Sequence, residues 1–382
     1  MVRSNIIFLL CIIALTCSCT GKSRHHGSET GSPSAHPGYA ERFTLKEING
    51  ITVLTIKNPW QGADGISQEW YLLKRGDNIP AGIDSSRIIR VPVRKVIAMS
   101  TTFLSMIDTL GESDKITGIS GTDLIYNNKL RSDIRNGKIP DVGYDDNLDK
   151  ELIIKIKPDI LMIYGVGGES SGLAGKLKEL GIKVLFNADY LENDPLGKAE
   201  WIKVYGALFG KEKEADSIFS GTVSEYDDIR EIVRKKATER PKVLLGLPWK
   251  DVWYVSPGNS YISRLISDAG GEYIWKDTES ETSLPYGLET VWLKAAGAEY
   301  WLNISTVSDR GEILAVDKRL GDLEAFSSGK MYNNNNRVTA IGGNDYWESG
   351  SVRPQVILKD IASILHPGLF PGYTYCYFKK VK

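Results

Sequence analysis

The sequence predicts an α/β fold: two Rossmann-like lobes bridged by a long α-helix, with a small N-terminal β extension. Three observations predict it. Apolar, strand-like runs alternate with amphipathic helical runs from Arg94 onward. The same order of elements returns after Pro241. Between the two series stands a helical pattern longer than an ordinary globular helix. At 382 residues the chain has room for two folded units, each of roughly 100–200 residues.

The elements follow in order. Residues 1–18 hold one basic residue, Arg3, and an apolar run from Ile6 to Leu15. A bilayer span needs about 20 apolar residues, so this run reads as a secretory signal peptide. Cys19 follows the small residue Ser18 and is the candidate lipidation site, with Cys17 as the alternative. Residues 19–42, rich in Gly, Ser, Pro and His, read as a lipidated flexible tether. Cys376 is then the only thiol left for the folded part, so no intramolecular disulfide is expected.

Residues 43–93 form the β extension. Asn49-Gly50 between two β-rich runs is a strong hairpin signal, and "EWYLLKR" offers a third strand. Residues 94–192 form the N-terminal lobe. There "KVIAMS" is a strand, "TFLSMIDTL" a helix with Phe103, Ile107 and Leu110 on one face, and "DKITGIS" a strand. "KELIIKIK" is a short helix before Pro158, and "DILMIYG" a strand apolar throughout, as parallel sheets require. "LAGKLKELG" is a helix closed by Gly181, and "IKVLFNA" a strand.

Residues 193–238 read as one linking helix. Trp201, Tyr205, Leu208 and Phe209 start its apolar stripe; Ile218, Val223, Tyr226, Ile229 and Val233 continue it. Gly206 and Gly210 are its candidate kinks. A continuous helix of that length would exceed ~50 Å. Residues 239–367 form the C-terminal lobe, with strands "KVLLGLPW", "VWYVS" and "EYWLNIS". Its helices are "SYISRLISDAGG", "LETVWLKAAG" and a closing "PQVILKDIASIL". Residues 368–382 are a tail.

The polar triplet Ser100-Thr101-Thr102 ends the first strand of the N-terminal lobe. Open α/β sheets bind ligands beyond the carboxyl ends of their strands, where helix N-termini offer free N–H groups. Ser100 and Thr101 therefore read as both helix cap and ligand contacts. Tyr164, followed by glycines, ends a second strand in the same way. Aromatic residues gather at other strand ends and loops: Tyr126, Tyr144, Trp249, Trp253, Tyr346 and Trp347. Such rings grip a large, partly apolar ligand, and Arg353 can neutralise an anion. The candidate ligand set is Ser100, Thr101, Tyr126, Tyr164, Trp249, Tyr346, Trp347 and Arg353.

Several classes are excluded or disfavoured. The net charge of −1, without clustering, gives no footing for nucleic acid. The four histidines are His25, His26, His36 and His366, so no histidine cluster for a metal and no histidine-based nucleophile pair is expected in the fold. The glycine spacing after Tyr164 matches neither a phosphate loop nor a dinucleotide fingerprint. No cofactor is expected, and a surface hydrolase using acidic residues is the remote alternative.

Two stretches carry a resemblance. "RVPVRKVIAMSTTFLSMIDTLGESDKITGIS" and "IPDVGYDDNLDKELIIKIKPDILMIYG" resemble the ferric-siderophore and cobalamin substrate-binding proteins of ABC importers. "NDYWESGSVRPQVILKDIASILHP" is similar to the closing segment of a lipoprotein branch of that family. The resemblance implies a non-enzymatic, monomeric binding protein that holds a metal chelate between two lobes. It also implies an ABC permease with its ATPase as partner, and an exported lipoprotein on the periplasmic face of a membrane. Glu151 and Glu289 match the positions where family members carry glutamates that dock on permease arginines. A ferric siderophore is the expected ligand, with cobalamin second and haem third.

Overall fold

The computed structural model of the chain describes residues 38–144 and 147–382. The expected signal peptide and Cys19 lie outside the described residues.

The β extension holds β1 (Phe43–Ile48), β2 (Ile51–Lys57), β3 (Ser67–Lys74) and β4 (Ile88–Val91) in one sheet of that order. Ile48 pairs with Ile51 across the Asn49-Gly50 turn, and both turn residues have positive φ, 51° and 78°. That conformation is the one for which Asn-Gly is selected in two-residue hairpins. The strand β4, parallel to β3, is an addition to the sequence reading.

The N-terminal lobe contains β5 (Val96–Ala98), α1 (Thr101–Thr109), β6 (Ile116–Ile119), α2 (Asn128–Arg135), α3 (Lys150–Ile156), β7 (Ile160–Ile163), α4 (Glu169–Glu179) and β8 (Val184–Phe186). Its sheet is parallel, in the order β6-β5-β7-β8. Alternate side chains of a strand face opposite sides. Thus Ile160 and Met162 join the core shared with α1, while Leu161 and Ile163 pack with Ile153 and Leu177 of α3 and α4.

The link is three helices: α5 (Pro195–Glu200), α6 (Ile202–Phe209) and α7 (Glu212–Lys236). The single rod expected from the apolar stripe is therefore broken. Gly210 causes one break: it adopts φ of 70° and its N–H bonds to Gly206 O. Gly206 itself stays helical within α6, and glycine is needed there because a Cβ would lie 2.6 Å from the Ala215 Cβ. At 25 residues, α7 alone runs about 37 Å. Its buried face is Ala215, Phe219, Thr222, Val223, Tyr226, Ile229 and Val233, a helical stripe.

The C-terminal lobe follows with β9 (Lys242–Leu245), β10 (Val252–Val255), α8 (Tyr261–Asp268), β11 (Glu272–Tyr273), β12 (Leu284–Gly287), α9 (Leu288–Ala295) and β13 (Tyr300–Leu302). It continues through α10 (Arg310–Val316), α11 (Glu324–Ser327), β14 (Met331–Asn333), α12 (Pro354–Leu365) and β15 (Lys379–Lys380). The main sheet runs β11-β9-β13-β14-β15, parallel except for β15. The "VWYVS" strand does not join it. β10 instead pairs antiparallel with β12 as a separate ribbon. Asp360 of α12, fully buried, fixes the tail by accepting the N–H groups of Cys376, Tyr377 and Phe378.

Candidate functional site: the strand-end cleft between the lobes

Parallel strands deliver their carboxyl ends to one edge of each lobe. Across the N-terminal lobe these ends lead, in sheet order, to Ser120, Ser100, Tyr164 and Asn187. Across the C-terminal lobe they lead to Ile274, Gly246, Asn303 and Asn334. Loops of the two lobes meet on one flank, the β extension reaches the loop before β12 on the other, and the candidate cleft is the space between.

The first flank is formed by the turn Asn344–Arg353 against α1 and the loop before α2. The Glu348 carboxylate accepts the Tyr126 N–H at 2.7 Å and the Asn127 N–H at 3.0 Å. Ser105 and Ser351 hydroxyls bond at 2.8 Å in a buried contact between the lobes. Gly343 is required here, since a Cβ would fall 2.6 Å from Ile125 O. Glu348 is only 4% exposed, and burial pushes its carboxyl up to about 7. The two N–H bonds act against that rise, while Asp345 and Asp108 add to it.

Five predicted ligand residues lie beside this flank. Ser100 caps α1, accepting the Thr102 N–H at 3.4 Å, and its Oγ lies 3.0 Å from the Thr102 hydroxyl. Tyr126 is half-buried with the Arg337 guanidinium over its ring at 5.2 Å. Trp347 is 54% exposed and stands edge-on to Tyr346, ring centres 4.8 Å apart. Arg353 is exposed at the start of α12 and forms no ion pair among the described residues. Arg337, by contrast, is held by Asp345 at 2.6 Å. Thr101 begins α1, half-buried.

Two of the aromatic candidates are buried. Tyr346 is 4% exposed, enclosed by Trp347, Tyr377 and Phe378, and burial raises its phenol well above the ordinary value. It supports Trp347 from below. Trp253 is fully buried, stacks on Trp301 and donates its indole N–H to Leu245 O at 3.0 Å. Both are buried, Tyr346 from a loop and Trp253 from within β10.

Tyr164 belongs to a second cluster on the other side of the N-terminal edge. Its hydroxyl contacts that of Tyr144, and its ring stands edge-on to Tyr190 at 6.2 Å. The Tyr190 hydroxyl donates to Gly165 O, and burial pushes its pKa up to about 12. Trp249 stands on the C-terminal edge, 64% exposed, with the Lys250 ammonium 4.5 Å from its ring centre. The predicted residues thus form two clusters and one isolated platform, not one contiguous set.

Sequence reasoning did not find Glu348, Arg337, Tyr190 or Asp189. Asp189 follows β8, is 1% exposed, and neither carboxylate oxygen has a hydrogen-bond partner among the described residues. Burial raises its carboxyl. The signal for Glu348 lay in "NDYWES", where an acid sits among loop aromatics, but its partner is 222 positions away.

Glu151 is exposed in the first turn of α3, whose cap is Asp149. Glu289 is exposed in the first turn of α9 and is paired with Arg319 at 3.0 Å; its own backbone N–H and then Arg319 lower its pKa. Among the described residues no group of three or more His, Cys, Asp and Glu could hold a metal ion. No helix among them is long and apolar enough to cross a membrane. A concavity of about 620 Å³ lies away from the strand ends, between α7 and the end of α8, lined by Asp227, Arg230, Arg234, Arg240 and Asp268. Its Asp268 is already matched by Tyr226 and Arg230, which makes it a solvated notch of paired charges.

The family described as periplasmic binding protein matches residues 96–315. An uncharacterized lipoprotein of Methanocaldococcus jannaschii is 28% identical over 347 residues, covering 85% of this chain and 81% of that one. Two solved structures share the fold. One is described as a possible iron-binding periplasmic solute-binding protein from Staphylococcus epidermidis, with TM-score 0.55, 19% identity, and coverage of 72% of this chain and 99% of that one. The other is an ABC-type Fe3+-hydroxamate transport protein from Saccharomonospora viridis, with TM-score 0.54, 17% identity, and coverage of 72% and 94%.

Proposed function

The chain belongs to the periplasmic binding protein family, and from that premise we propose that it is the lipid-anchored solute-binding protein of an ABC importer, capturing a ferric siderophore between its lobes. It performs no chemistry on its cargo and passes it, from the periplasmic face of a membrane, to an inner-membrane permease. The anchor is an acyl chain on Cys19. The protein works as a monomer.

One observation carries the choice of ligand. Cations stand beside aromatic rings near the strand ends: Arg353 and exposed Trp347 on the first flank, Arg337 over half-buried Tyr126, and Lys250 over exposed Trp249. A ferric catecholate is a bulky anion with aromatic faces, so it meets both needs at once. Arg353 and Lys250 supply charge not paired with a carboxylate among the described residues. The two solved structures are described as a possible iron-binding protein and part of an Fe3+-hydroxamate transport system, which supports the metal-chelate class. Cobalamin is the runner-up, and the Tyr144–Tyr164 hydroxyl contact favours haem as the third choice, since phenolates ligate ferric iron.

The test is a tryptophan-fluorescence titration of the purified protein with ferric enterobactin, ferrichrome, cobalamin and haemin. Quenching at micromolar or lower concentration by a ferric siderophore supports the reading. Response to cobalamin or haemin alone selects the alternative, and silence with all four rejects the class.

A further inference from the structure

We infer that the β extension is a third wall of the cleft, and that Gln61 ties it to both lobes as a strap at the end opposite Glu348. This rests on the ligand lying between the lobes.

The N-terminal attachment is firm. The Gln61 N–H is shared between Gly165 O and the Tyr190 hydroxyl, each at 3.1 Å, and Gln61 bridges Val166 in parallel. Gly165 and Val166 directly follow Tyr164, so the strap begins at a strand end of the cleft. Trp60 packs on Phe186, ring centres 5.1 Å apart. Gln68 treats the edge strand β8 as a sheet partner: its amide donates to Val184 O at 2.8 Å and accepts the Phe186 N–H at 3.1 Å. That covers an edge which would otherwise be open.

The C-terminal attachment is loose. The Gln61 side chain donates to Glu281 O at 3.4 Å, and the Arg42 guanidinium lies 3.8 Å from the Glu281 carboxylate. Glu281 is 62% exposed. Arg42 starts from a fixed base, because its N–H and that of Glu41 bind the two oxygens of Glu192, both at 2.9 Å. Glu192 is 2% exposed and also accepts the Trp201 indole N–H. Glu281 lies in the loop before β12, where the Ser280 N–H binds Asn259 beside the start of α8.

Long, exposed contacts at one end and short, buried ones at the other describe a strap that opens at Glu281 and stays fixed at Gly165. Fixed at both ends, it would obstruct exchange of a large cargo. Free at both ends, it could not retain one. Gln61 is accordingly a positioning residue that slows escape.

The test uses the full chain and an Arg42→Ala/Gln61→Ala double variant. Alanine keeps the Gln61 N–H, so the firm end and the melting temperature are preserved. Without ligand, hydrogen exchange in residues 277–283 should rise at least fivefold while β8 is unchanged. With ferric enterobactin, the stopped-flow dissociation rate should rise about fivefold with association no slower. Unchanged exchange, or faster exchange with an unchanged dissociation rate, overturns the strap. If the wild type binds none of the four chelates, the functional reading fails by itself, and the ligand-free exchange comparison alone decides the strap: faster exchange in residues 277–283 of the double variant supports it, and unchanged exchange overturns it.

Discussion

Glu348 and Tyr126 are joined across the lobes by a 2.7 Å bond from the Tyr126 N–H to Glu348 Oε2, although 222 positions separate them. The contact is a buried carboxylate serving as acceptor for loop amides of the other lobe. It fixes one flank of the cleft without any hydrophobic area of its own, and it makes the flank sensitive to pH.

The sign follows from the direction of the shift. Burial lifts the folded-state pKa of Glu348 from 4.5 to about 7. Its contribution is therefore complete below pH 4.5 and is lost as pH rises through 7. Between pH 5 and pH 8 the wild type should lose about 2–3 kcal/mol relative to Glu348→Gln, at about 1.4 kcal/mol per pKa unit. Urea unfolding of both proteins at the two pH values measures the difference. Parallel pH profiles would show that Glu348 is not the titrating group.

Neighbouring aromatics should separate in their effects. Trp347→Ala should weaken binding of ferric enterobactin about tenfold with little loss of stability, because its ring is 54% exposed. Tyr346→Ala should cost about 3–5 kcal/mol of stability, the usual price of removing a buried ring. Calorimetric melting and the fluorescence titration together distinguish the two.

Trp249→Ala and Arg353→Ala should each reduce chelate affinity about 5–50-fold, as expected for removing a stacking face or an unshared charge. Neither should move the melting temperature, since both side chains are exposed. Wild-type affinity in both variants would take these residues out of the site.

Charge reversal at Glu151 and Glu289 together should leave chelate affinity unchanged and stop uptake through the permease. Both acids are exposed on first turns of short helices, one per lobe. Glu289 already holds Arg319, so a permease arginine has to compete with it, and Arg319→Ala should strengthen docking about two- to fivefold. Uptake assays in a strain carrying the cognate permease read both effects.

In the link, Gly206→Ala should destabilise the protein by about 1–3 kcal/mol through overpacking against Ala215. Gly221, on the open side of α7, tolerates alanine. Urea midpoints of the two variants give the comparison.

Local pattern carried much of the architecture into the sequence. The Asn49-Gly50 turn, the apolar run Ile160–Ile163 and the stripe from Phe219 to Val233 each declare their element through spacing alone. The break at Gly210 was harder to read, because a glycine in a helical pattern is a stop only where the following turn folds away. The ribbon of β10 and β12 was hidden because an apolar run does not reveal which strand it will pair with. The exposure of Trp249 and Arg353 agrees with their loop positions in the sequence. Tyr346 and Trp253 are buried, Tyr346 because its loop folds back on Tyr377 and Phe378, and Trp253 because alternate side chains of β10 face inward. Glu348 and Gln61 were invisible for a different reason: their roles depend on partners brought close only by the packing of whole lobes.

The most direct measurement is a crystal structure of the protein grown with the ferric siderophore that quenches its tryptophans. The chelate is predicted to lie between the strand ends, touching Trp249 and Arg353 and flanked by Glu348 at one end and Gln61 at the other. A chelate bound outside that space, or strand ends packed together with no room for one, would contradict the account.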